Sequence, residues 1–190
     1  MEIKIVKIDK EELIEYSKIP MSFEINSFFD ISLKKNGLEG ITITEKIIDK
    51  PYLKDYDKYE NPTLWVNDFD LTNWGIFIAK NEFSENIGGL AVAYKTQGNH
   101  MLEGRDDMTV LWDIRIHPNY RKNGIGSLLF KKAVDFSKEH NCKIIKIETQ
   151  NNNVPACKFY AKQGCYLGGI HPNIYKEFPD EIQLLWYKEL

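Results

Sequence analysis

Apolar and charged positions alternate over residues 2–8, which predicts a short strand, and residues 10–18 then take a helical spacing that ends before Pro20. Residues 23–33 and 41–48 predict a strand pair joined across the turn signal Asn36-Gly37. Residues 50–70, rich in Tyr, Asp, Pro and Asn, predict a surface loop or short helix. Residues 74–80 and 87–94 are apolar, with β-branched and aromatic side chains, and the polar NEFSEN stretch between them makes a meander hairpin. Residues 98–107 read as a loop. The run TVLWDIRI at 109–116 is the clearest strand, and HPNYRKN after it carries turn signals. Ile125, Leu128, Leu129, Ala133, Val134 and Phe136 then recur on one helical face, until His140-Asn141. A strand at 143–148, a helix at 155–163 ending at Gly164, and strands at 166–170 and 183–188 complete the chain. Nothing repeats and no low-complexity linker intervenes, so residues 1–190 are expected to form a single domain. Its class is α+β, a central, mostly antiparallel mixed sheet flanked by helices.

Composition narrows the function. The chain has 190 residues, 43% of them hydrophobic, enough to bury a core. A net charge of -3 gives no reason to expect a nucleic-acid or anionic-membrane partner, and it mildly favours a cationic substrate. Cys142, Cys157 and Cys165 are odd in number and lack a CxxC pair, so they read as buried free thiols in a reducing cytoplasm. Charges interrupt every apolar stretch of the N-terminus, unlike a signal peptide, and no segment approaches the ~20 apolar residues of a membrane span. His100, His117, His140 and His171 are scattered without ligand spacing, so no metal is expected.

The sharpest local signal is Arg121-Lys122-Asn123-Gly124-Ile125-Gly126, between a strand and a helix. Glycine lets backbone approach a ligand closely, and the unpaired N–H groups of a helix's first turn hold phosphate oxygens, aided by the helix dipole. A lone GxG more often marks an ordinary turn. A dinucleotide fingerprint would need a third glycine where Leu129 stands, and the phosphate loop of nucleotide hydrolases needs Gly-Lys-Ser/Thr where Gly126 is followed by Ser127. A pyrophosphate cradle of another kind remains.

Arg-x-x-Gly-x-Gly after an apolar strand and a Pro-containing turn resembles motif A of the GNAT acetyltransferase superfamily, and Asn153-x-x-Ala156-x-x-Phe159-Tyr160-x-x-x-Gly164 resembles its motif B. The likeness covers residues 74–170 well, and Cys165 departs from it where an aromatic or aliphatic residue is usual. The resemblance implies the GNAT fold, acetyl-CoA as acetyl donor and an N-acetyltransferase. It implies that Arg121, Lys122, Asn123, Gly124, Ile125, Gly126 and Ser127 hold the pyrophosphate, and that Ile114 and Ile116 flank the acetyl and pantetheine portions. It also implies that Asn153, with Ala156 in the same motif, holds the pantetheine arm, and that Tyr160 directs its hydroxyl at the sulfur. For Tyr160 the competing reading is a core aromatic beside Phe159.

Acyl transfer to an amine requires loss of a proton, because an alkyl ammonium titrates near ~10.4. Asp113 and Glu148, on the two strands expected to diverge around the cofactor, are the candidate bases. Either could instead anchor a cation while water relays the proton, or lie plainly on the surface. The backbone N–H of Ile114 could stabilise the oxyanion of the tetrahedral intermediate. ETQNNNVPACKFYAKQGC, DKPYLKDY and LLWYKEL are similar to streptothricin acetyltransferases, which implies a small polycationic amine, the β-lysine moiety of streptothricin, as acceptor. The segment around Asp55, Tyr56, Asp57, Tyr59, Glu60, Trp65, Asp68, Phe69 and Asp70 could hold its ammonium groups, or be a solvated loop anchored by its rings. Peptide N-termini, polyamines and aminoglycosides stay open as acceptors, as does a non-catalytic CoA-binding module, and the chain could be a monomer or homodimer.

Overall fold

The computed structural model describes residues 2–190. Among these lie strands β1 (Lys4–Lys7), β2 (Ser22–Leu33), β3 (Ile41–Asp55), β4 (Gly75–Lys80), β5 (Asn86–Ala93), β6 (Met108–Ile116), β7 (Ile144–Gln150), β8 (Tyr166–His171) and β9 (Gln183–Glu189). The helices are α1 (Leu13–Ser17), α2 (Trp65–Asp68), α3 (Ile125–Glu139) and α4 (Val154–Lys162). Seven strands form a sheet in the order β1-β4-β5-β6-β7-β9-β8, and β2 pairs with β3 in a separate ribbon. β6 and β7 run parallel, whereas β1, β4, β5 and β6 pair antiparallel in succession. This is the expected α+β class with a mixed sheet.

The chain divides into two compact units, although its composition marks no boundary. One comprises residues 2–22, 55–147 and 187–190, the other residues 23–54 and 148–186.

In the first unit β4 and β5 are buried along almost their whole length, which is why both read as unbroken apolar runs. Consecutive glycines on β5 admit different partners to the two faces of the sheet. A Cβ on Gly88 would meet Leu129 of α3 at 3.1 Å, and one on Gly89 would meet the Tyr16 ring of α1 at 2.6 Å. The buried stripe of α3 comprises Ile125, Leu129, Phe130, Ala133, Phe136 and Ser137. Each large apolar side chain there contributes about 1.5–3 kcal/mol relative to exposure. Ser137, polar within that stripe, is satisfied by a 2.6 Å hydrogen bond with Thr109 of β6.

The ladder of β6 on β7 runs from Met108↔Ile144 to Leu111↔Ile147. On its other side β6 skips a residue against β5, passing from Asp113↔Ala91 to Leu111↔Val92. Trp112 is therefore the extra residue of a β-bulge, placed where the parallel ladder ends.

In the second unit, β2 and β3 form the expected hairpin, with Lys35, Asn36 and Gly37 all at positive φ in the turn. Part of the segment expected as loop or short helix is strand, because β3 continues through Pro51 to Asp55. A strand of a two-stranded ribbon has one free edge, and there the missing N–H of proline breaks no ladder bond. The rest of that segment, in the first unit, forms short 3-10 turns and α2 as expected. Asn151 joins three pieces of the second unit: its backbone carbonyl accepts from Phe29 N (2.8 Å), its Nδ2 donates to Phe29 O (3.1 Å), and its Oδ1 accepts from Ile182 N (2.9 Å). α4 ends at Gly164, whose φ of 77° is the left-handed conformation that stops a helix.

Candidate active site

In the first unit, the turn after β6 leads to α3 through Arg121, Lys122, Asn123 and Gly124, all exposed. Gly124 is the N-cap at φ 80°, and its Cβ position has open space around it. No side chain caps α3 and no acidic residue lies in its first turn, so nothing of the chain's own charge competes there for the positive end of a 15-residue helix. Gly126 and Ser127 lie in that first turn, while Ile125 turns inward and is 1% exposed. Arg121 is engaged within the chain, tying the loop to the end of β6 and to Ser22: its Nε donates to Ile116 O at 3.2 Å and its Nη2 to Ser22 O. Partial burial lowers its pKa.

Along β6, Ile114 and Ile116 are half-buried and alternate with Asp113 and Arg115, which are 4% and 2% exposed. Residues two apart share a face of a strand, and the pair meets there. Arg115 donates to Asp113 from Nε at 3.0 Å and Nη2 at 2.7 Å, and Tyr16 donates its hydroxyl to the same carboxylate at 2.6 Å. Arg115 Nη1 also reaches Ile19 O and Asp57 Oδ1, each at 3.0 Å. The cation that Asp113 holds is thus Arg115, so its carboxylate, read from sequence as a possible base, is a clamped structural anion. Burial alone would lower the Arg115 pKa, but Asp113 outweighs it and raises it. Tyr16 is raised well above its ordinary 10.0, by burial first and by Asp113 second.

Beside this network lies an aromatic group. Trp65 packs 5.6 Å from Tyr16 and 5.8 Å from Trp74, and Phe69 and Trp112 continue it at ring separations of 5.1–5.8 Å. Glu60 Oε1 accepts from the indole of Trp65 at 2.7 Å and from that of Trp112 at 3.2 Å. The residue keeps an exposed surface, yet the indoles crowd its carboxylate. That desolvation, followed by the charge of Asp113, raises its pKa above the ordinary 4.5. Three other acidic residues of the segment differ. Asp55 and Asp70 accept from backbone N–H groups two residues on, and Asp57 accepts from Met21 N and Arg115.

In the second unit, Glu148 is half-buried and accepts from the Tyr175 hydroxyl at 2.5 Å and from Gln183 Nε2 at 2.7 Å. Asn153 caps α4, its Oδ1 accepting from Ala156 N at 3.2 Å, so that oxygen is engaged and its amide nitrogen is the group left to offer a ligand. Beside it, Asn152 is 7% exposed and its Oδ1 is buried without a hydrogen-bond partner among the described residues. An orphaned acceptor of this kind costs about 1–3 kcal/mol unless a donor from outside the chain reaches it. Tyr160 is 3% exposed, with its ring edge-on to Phe159 at 5.2 Å. The three cysteines are buried free thiols, as expected, and burial pushes the Cys157 thiol up to about 11.

The first unit therefore offers an uncapped helix terminus preceded by a left-handed glycine, and the second, taken by itself, an orphaned amide acceptor next to Asn153. The family model described as Acetyltransferase (GNAT) family matches residues 42–165. Streptothricin acetyltransferase A of Bacillus subtilis (strain 168) is 30% identical over 148 residues, 77% of this chain and 78% of that protein. This chain belongs to the GNAT acetyltransferase family. A streptothricin acetyltransferase of Escherichia coli is 28% identical over 96% of this chain and 94% of its own. A solved structure assigned as a streptothricin acetyltransferase of Bacillus anthracis str. Ames, in complex with acetyl coenzyme A, superposes with a TM-score of 0.76 at 29% identity. It covers 100% of this chain and 98% of its own. This GNAT chain is an acyltransferase and acetyl-CoA is its donor.

Tyr16, Trp112 and Asn152 escaped the sequence reading. The Asp113-x-Arg115 spacing on one strand face could have signalled an ion pair, but nothing local to Tyr16, 97 residues from Asp113, announces its place. None of the described helices is long and apolar enough to cross a membrane.

Proposed function

We propose that this GNAT enzyme transfers acetyl to a primary amine of a small polycationic acceptor of the streptothricin type. The observation that carries the reading is the likeness to streptothricin acetyltransferases over nearly the whole chain, beyond the shared cofactor motifs. Acetyl-CoA, when bound, supplies an activated thioester carbonyl. The N–H groups of the first turn of α3 and the Gly124–Gly126 backbone bind its pyrophosphate. Lys122 adds charge, and Arg121 keeps the loop in shape through its two carbonyl bonds. The Asn153 amide nitrogen and Asn152 Oδ1 pair with polar groups of the pantetheine arm, and Ile114 and Ile116 give β6 its apolar flank.

Of the two carboxylates named for proton removal, Glu148 has no cationic partner among the described residues, whereas Asp113 has Arg115. Glu148 accordingly takes the proton of the acceptor, directly or through water, and Asp113 is a positioning residue that fixes β6 at its bulge. Tyr160 donates a hydrogen bond from its hydroxyl to the departing sulfur.

The test is a panel of streptothricin, lysine, spermidine and short peptides assayed with acetyl-CoA by thiol release. Fast acetylation of streptothricin, together with protection of sensitive bacteria by the expressed protein, supports the reading. Faster acetylation of peptide N-termini without protection replaces it with the peptide reading. Binding of acetyl-CoA without turnover of any amine replaces it with a CoA-binding module.

A further inference from the structure

Most acidic side chains of the segment before β4 are accounted for within the chain. Asp57 neutralises Arg115 and holds Met21 N, Asp55 caps the turn after β3, and Asp70 holds Thr72 through both its N–H and its hydroxyl. Glu60 is different. One of its oxygens accepts both indole N–H groups, and the other, Oε2, has no hydrogen-bond partner among the described residues. Among the described residues no Lys, Arg or His forms an ion pair with it, the charge of Arg115 acting only from further away, and it remains open to solvent.

Two fixed donors on one oxygen orient a carboxylate and leave its second oxygen aimed by default. One of these donors is Trp112, the bulge residue of β6, so the carboxylate is tied to the strand that carries Ile114 and Ile116. Indole rings surround it, and Trp112 is itself only half-buried. A carboxylate in such surroundings lacks the solvation it would have in water, and a cation restores it, while ring faces attract the same cation. Resting on the reading of this enzyme as an amine acetyltransferase, we propose that Glu60 Oε2, backed by Trp65 and Trp112, is the specificity-determining anchor for a second ammonium group of a polycationic acceptor. The anchored ammonium is not the one acetylated. A diamine or longer polyamine therefore gains a contact that a monoamine lacks.

Glu60→Gln keeps an oxygen for the indole donors and removes the charge, and Glu60→Asp keeps the charge but withdraws it by one methylene. The indoles give a signal independent of turnover. Titrating the protein with spermidine or streptothricin, without acetyl-CoA, should change tryptophan fluorescence saturably in the parent, ten-fold more weakly in E60Q, and at an intermediate concentration in E60D. Under turnover, KM for the polycation should rise about ten-fold in E60Q, with kcat and KM for acetyl-CoA nearly unchanged and KM for a monoamine unaffected. No saturable fluorescence change at millimolar polyamine, or equal effects of E60Q on monoamine and polyamine, would overturn the assignment. Fluorescence binding that depends on Glu60 in a protein that acetylates no amine supports the anchor and refutes the function; turnover of polyamines indifferent to E60Q does the reverse.

Discussion

Two parts of the first unit are assigned to ligands, and they are built on opposite principles. The loop from Arg121 to Gly126, proposed for phosphate, offers backbone: a left-handed Gly124, an uncapped helix terminus and open space where a side chain would stand. The region around Glu60 works through side chains drawn from distant places, with Trp65 five residues away and Trp112 52 residues away. Phosphate is served well by generic N–H donors, which any sequence provides once glycine permits the path. A particular amine requires particular charges and rings, held by packing. Cofactor binding should therefore respond to changes of backbone, and acceptor choice to changes of side chain.

The largest expected effect bears on the side-chain framework. Arg115→Met would leave Asp113 buried with Tyr16 but no cation, which should cost about 3–5 kcal/mol, read as a lower urea midpoint at unchanged slope. If stability hardly moves, the buried network is not what fixes β6. Next comes the chemistry: Tyr160→Phe should lower kcat by about 10²-fold while leaving acetyl-CoA affinity nearly intact, because general acid help is lost and the ring's packing is kept. Gly124→Val should do the converse. A β-branched residue at φ 80° is strained and its side chain would fill the open space, so acetyl-CoA affinity measured by calorimetry should fall about ten-fold in a folded protein. Undiminished affinity would make the loop an ordinary turn and break the contrast.

The smallest effect concerns pH. Burial, and then Asp113, raise the Glu60 pKa above 4.5, so the folded state holds that proton more tightly than the unfolded chain. Its contribution to stability is full below 4.5 and is lost as pH rises through the folded value. Glu60→Gln should flatten that fall in a series of thermal melts, and an unchanged profile would show that the indoles do not desolvate the carboxylate.

Much of this was legible in the letters. Strand and helix periods located nearly every element, since amphipathic spacing is a local property, and the two glycine- and asparagine-bearing motifs named the cofactor because their chemistry resides in consecutive backbone. The departures share a cause. Residues 50–55 read as loop or short helix within a stretch rich in Tyr, Asp, Pro and Asn, yet β3 runs on through Pro51 to Asp55, as an edge strand can. Asp113 read as a candidate base or a cation anchor, and what the letters did not show is that it is buried and held by Arg115 and Tyr16. Asn153 read as the pantetheine ligand, and the letters did not show that its oxygen caps α4 or that an orphaned acceptor stands next door on Asn152.

By itself, then, the sequence determined the α+β class and, through the GNAT likeness of two local motifs, acetyl-CoA as the donor, each encoded in residues near one another along the chain. Only the tertiary structure decided which carboxylates, such as Asp113 and Asp57, are already paired with a cation and that Glu60 is not. Ionic pairing depends on distance and desolvation, and Gly89 admitting Tyr16, or a bulge turning Trp112 toward Glu60, sets these between residues that no local pattern connects.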